Sequence, residues 1–97
     1  MSKIMDILST GKENALTAQD IGRLLGYDIR AVRSEIARLR QQGEFICATS
    51  SKENKGYFLP EDDTDIVNFV VMTENRIKET QKMVQPAKDY VESKRGQ

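Results

Sequence analysis

The chain has 97 residues, enough for one core of modest size, and its 15 Lys and Arg are matched by 15 Asp and Glu. Zero net charge excludes a polycation that adheres to any nucleic acid or anionic membrane, so basic surface must be local. With no His and a single Cys47, the chain lacks the commonest general base, the commonest metal ligand and any internal disulfide. No stretch is apolar enough for a signal peptide or a membrane span, which predicts a cytoplasmic protein with a reduced thiol, no metal and no cofactor.

Ile4, Met5, Ile7 and Leu8 have helical spacing behind a cap at Ser2, predicting a first helix of two to three turns that "TGKENA" ends. Thr17 opens a second helix, with Asp20 completing a capping box and Ala18, Ile21, Leu24 and Leu25 forming its buried stripe. Gly26 stops it. After Tyr27, Asp28 caps a third helix in which Ile29, Val32, Ile36 and Leu39 recur at steps of three and four up to Gly43. "EFICATS" and "GYFLP" then flank the polar "SKENK" and read as a β-hairpin. Pro60 and "EDDTD" mark a boundary, and the acidic run suits the start of a long helix, bent or broken near Pro86 and frayed at "ESKRGQ". The expected fold is mainly α with a small hairpin: residues 1–60 as one domain and 61–97 as a C-terminal helix.

The stretch "DIRAVRSEIARLRQQGEFI" carries the chemistry. At 100° per residue, Arg30, Ser34, Arg38 and Gln41 lie opposite the apolar stripe of the third helix, beside the small Ala37. Arg33 and Arg40 share one flank, and Glu35 sits on the other. That face offers guanidinium, hydroxyl and amide groups with no carboxylate among them. An α-helix fits the major groove of duplex DNA, where Arg pairs with guanine and Ser or Gln can read other base edges. Arg33, Arg40 and the hairpin lysines Lys52 and Lys55 suit phosphates, which position a protein without reading sequence. A charged helix face is also what plain solvation produces, so arrangement must decide. Two short helices joined by a tight turn are what a helix-turn-helix requires, and residues 1–59 hold nine basic against seven acidic side chains, whereas 60–97 hold six against eight.

"LTAQDIGRLLGYDIRAVRSEIARLRQQGEFI" followed by "KGYFLP" resembles the winged helix-turn-helix domains found at the N-terminus of biotin repressor and in many small bacterial and phage regulators. The resemblance covers residues 2–59 and rests on the order and spacing of "LT", "IGRLLGY", "AVRSEIARLRQQGEFI" and "GYFL". It implies a three-helix core with a hairpin wing, a reading helix from Asp28 to Gln42, and Arg30, Arg33, Ser34 and Arg38 as reading and docking residues. No ligase domain follows, so ligase activity is not implied, and Glu53 between the two wing lysines weakens a wing contact.

In the last helix, Ile66, Val70, Thr73, Ile77, Thr80, Val84, Ala87 and Val91 alternate steps of four and three. This is a heptad seam, interrupted at Pro86, and it predicts a homodimer through Ile66, Val70, Ile77 and Val84. Its competitor is a helix folded back onto its own domain. The expected function is sequence-preferring binding of double-stranded DNA by a small dimeric transcriptional regulator; the alternative is an adaptor that docks a partner protein through the long helix. No constellation for catalysis, phosphate cradling or an effector pocket is legible, so an enzyme is not expected.

Overall fold

The computed structural model describes residues 3–96. Two compact units result, Met1–Ile66 and Val67–Gln97. In the first, α1 (Lys3–Ile7) is shorter than its apolar spacing suggests, and the expected cap at Ser2 lies outside the described residues. A single 3-10 turn at Lys12–Asn14 leads to α2 (Ala18–Leu25), whose N-terminus has the full capping box: the Thr17 hydroxyl accepts from the Asp20 N–H at 3.0 Å, and the Asp20 carboxylate accepts from the Thr17 N–H. Gly26, left-handed at φ 75°, closes α2. Asp28 then caps α3 (Ile29–Gln41), accepting from the Ala31 N–H at 2.7 Å. At the far end the Gly43 N–H reaches the Arg40 carbonyl and the Glu44 N–H the Leu39 carbonyl, the paired bonds of a Schellman motif.

Ile4, Leu8, Ala18, Ile21, Val32, Ile36, Leu39 and Ile46 form the core, with Cys47 and Phe58 also buried. Eight aliphatic side chains removed from water at about 1.5–3 kcal/mol each, where size allows, are what hold the three helices together. Two residues expected in the buried stripes lie outside the core: Leu24 is 64% exposed and Ile29 42%. The cause is Gly22. A Cβ there would stand 2.4 Å from the Tyr27 carbonyl oxygen and 3.6 Å from Val32, so the turn and α3 press directly on the α2 backbone. The buried face of α2 is made by Ala18, Ile21 and Gly22, with Leu25 half-buried beside them, which leaves Leu24 on its shoulder. Ile29, in the first turn of α3, lies a turn ahead of the covered stretch.

Strands β1 (Cys47–Ser50) and β2 (Lys55–Phe58) pair antiparallel, with Cys47 opposite Phe58 and Ser50 opposite Lys55. The Ser51 hydroxyl fastens the connecting turn, donating to the Asn54 carbonyl and accepting from the Asn54 N–H. Glu44 to Ile46, read from the sequence as strand, precede the pairing. The other edge of β2 is covered as well. Leu16 and Tyr57 exchange backbone hydrogen bonds of 2.9 and 2.7 Å, and Leu59 bonds to Ser9 and Gly11. These crossings make the arrangement a winged helix-turn-helix whose wing is bound to the helical core.

α4 (Asp63–Arg95) begins where the acidic run predicts. The Asp62 carboxylate accepts from the Thr64 and Asp65 N–H groups, so the run serves as a helix cap. Its first turn belongs to the first compact unit, Met1–Ile66: the Cys47 thiol donates to the Asp65 carbonyl and Ile66 is half-buried. The helix is not broken at Pro86 and extends to Arg95, through residues expected to fray. A proline removes only its own i→i−4 bond, and the flanking turns retain theirs.

Gly56 sits at φ 122°, and a Cβ there would fall 2.2 Å from the Leu16 carbonyl group. Gly56→Ala is therefore expected to cost at least about 2 kcal/mol in urea unfolding, with α-helical circular dichroism retained below the transition.

Candidate nucleic-acid interface

Burial of Val32, Ile36 and Leu39 fixes the rotation of α3 and turns its opposite side outward. Arg30, Arg33, Ser34, Ala37, Arg38 and Gln41 are exposed there, with no carboxylate partner for Arg30 or Arg33 among the described residues. On the hairpin, Lys52 in the turn and Lys55 at the head of β2 are exposed beside the equally exposed Glu53.

Arg38 departs from its expected freedom. Its guanidinium grips Glu35 with two nitrogens, Nη2 on Oε1 and Nε on Oε2, the latter at 3.2 Å. The hydrogen bond and then the charge of Glu35 raise the Arg38 pKa. The expectation that this face carries no carboxylate is thus corrected at its edge: residues three apart on a helix are neighbours, and a long arginine reaches back around the cylinder. Spacing alone could have revealed this pair.

Arg40 departs further. Instead of standing beside Arg33 as a phosphate contact, it turns inward: Nε donates to the Ile46 carbonyl at 2.9 Å, and the guanidinium lies over the Tyr57 ring, 5.6 Å from its centre. Burial lowers its pKa from the ordinary value, with Tyr57 and Cys47 acting the other way, yet an arginine so placed remains charged at neutral pH. Arg40 therefore joins the end of α3 to both sides of the hairpin. Sequence reasoning passed over Tyr57 and the Ile46 carbonyl because the contact depends on how the hairpin folds back.

Cys47 is 1% exposed, and burial, followed by the nearby Asp65, pushes its thiol above the ordinary range. Little thiolate forms at neutral pH, which fits packing rather than reactivity.

Along α4, Val70, Ile77, Val84 and Val91 are between 43% and 52% exposed, each seven residues from the next. Thr80, between them, donates its hydroxyl to the Arg76 carbonyl at 2.9 Å and so meets its own hydrogen-bonding need within the helix. Among the described residues no helix is long and apolar enough to cross a membrane.

A capped helix, a turn pressed onto Gly22, an exposed second helix and a fastened hairpin define the helix-turn-helix class of DNA-binding domain. Residues 1–58 match the HTH domain family, and the chain belongs to it. Comparison with curated proteins and with solved structures gives no match.

Because Arg40 fastens the hairpin, Arg40→Met is expected to lower stability by about 1–3 kcal/mol in chemical denaturation. Arg33→Met, at an exposed position, is expected to leave the denaturation midpoint within about 0.5 kcal/mol of the parent.

Proposed function

We propose that this protein is a small transcriptional regulator that binds double-stranded DNA with sequence preference, as a homodimer, with α3 in the major groove. The observation that carries the reading is the exposed face of α3, where Arg30, Arg33, Ser34 and Gln41 stand clear of the protein's own acids and Ala37 leaves room for close approach. Arg30 and Ser34 near the start of the helix suit base edges, because it is the N-terminal part of a reading helix that meets them. Arg33, Lys52 and Lys55 suit phosphates, and Arg38 joins them once Glu35 releases it. Arg40 has no role in this reading beyond fixing the hairpin.

The basic excess of the reading unit is small, so a single copy binds weakly. A dimer doubles the phosphate contacts and favours a two-fold symmetric site with half-sites one helical turn apart. The exposed row of Val70, Ile77 and Val84, with half-buried Ile66 ahead of it, supports the dimer.

Arg30→Ala with Arg33→Ala is expected to weaken binding to duplex DNA at least tenfold at low salt, with unchanged circular dichroism. Fluorescence anisotropy measures this, and undiminished affinity would exclude α3 as the reading helix and favour a protein-docking role for α4. Glu35→Gln is expected to strengthen binding a few-fold and to steepen its salt dependence, because Arg38 becomes available to phosphate; an unaltered salt slope would remove Arg38 from the interface.

A further inference from the structure

The exposed row on α4 also has a direction, and two independent features agree on it. The first is charge. Within α4, residues 63–79 hold four acids against two bases, whereas 80–95 hold four bases against two acids. Two such helices laid side by side in the same sense set acid on acid and base on base; laid in opposite senses, each acidic end meets a basic one.

The second is size. The residues of the seam divide into a large set, Val70, Ile77, Val84 and Val91, and a set between them in which Thr73, Thr80 and Ala87 are small. Parallel, in-register pairing puts large against large and small against small, giving layers alternately crowded and gapped. Antiparallel pairing with Ile66 opposite Val91 sets Val70 against Ala87, Thr73 against Val84 and Ile77 against Thr80. Large meets small in these inner layers, as close packing asks. Pro86 does not disturb this, since it directly precedes Ala87 on the side turned away from the seam.

The register also sets a length. Ile66 is the last residue of the reading unit, and in this register Ile66 of one chain and Ile66 of the other are separated along the helix by the span from Ile66 to Val91. At about 1.5 Å per residue, the points where the two reading units join the pair are then about 37 Å apart along it.

From these we infer that α4 pairs antiparallel with α4 of a second copy of this chain, in the register that sets Ile66 opposite Val91. The inference rests on the homodimer reading above and adds the geometry that reading lacks. Two variants of the full chain test it, Val70→Cys and Ala87→Cys, each oxidised alone and then as a mixture, with the parent and its buried Cys47 as control. Circular dichroism confirms folding. The expected result is a covalent dimer in the mixture and none above the control from either variant alone. Self-cross-linking of either variant means a parallel pair and overturns the inference, as does a folded mixture that yields no cross-link. No DNA is needed for this test, so a chain that cross-links as expected but binds no duplex would sink the DNA reading alone.

Discussion

The reciprocal backbone hydrogen bonds between Leu16 and Tyr57 are the joint on which the reading unit depends. Leu16 directly precedes the Thr17 cap, so the pair ties the start of α2 to the second strand of the hairpin. Gly56 allows the two backbones to approach closely enough for those bonds, and Tyr57 presents its ring to Arg40 at the end of α3. One strand residue thus connects both helices of the helix-turn-helix to its wing. A hairpin of two four-residue strands has little stability of its own, and here it gains a third edge and a cation over its face.

The arginines of α3 divide by environment rather than by type. Arg40 is turned inward and fastens the hairpin, Arg38 is held by Glu35, and Arg30 and Arg33 remain open to an anion. A count of basic residues overstates what α3 can offer a phosphate backbone. What remains is modest.

Much of the fold was legible because its signals are local. The Thr17–Asp20 box, the left-handed Gly26 and the Asp28 cap are each settled within four residues, and all three stand where the spacing places them. The period of Val32, Ile36 and Leu39 likewise gave the exposed face of α3, and with it Arg30, Ser34 and Gln41. What escaped is what the chain decides at a distance. "TGKENA" reads as a helix terminator, yet it and the residues flanking it carry the backbone that extends the sheet through Ser9, Gly11 and Leu16. Arg40 looks solvent-facing on a wheel, because a wheel does not contain the hairpin. Leu24 looks buried until Gly22 brings the neighbouring backbone so near that the face shifts. Pro86 looks like a break, but the surrounding turns carry the helix past it.

The cap on α3 has one further effect. The amino end of a helix bears partial positive charge and free N–H groups, and many proteins present that end to a phosphate. Here Asp28 occupies it with the chain's own carboxylate, bonded to the Ala31 N–H. The partial positive charge at the tip of α3 is therefore already offset from within the chain, and one of its N–H groups is already satisfied.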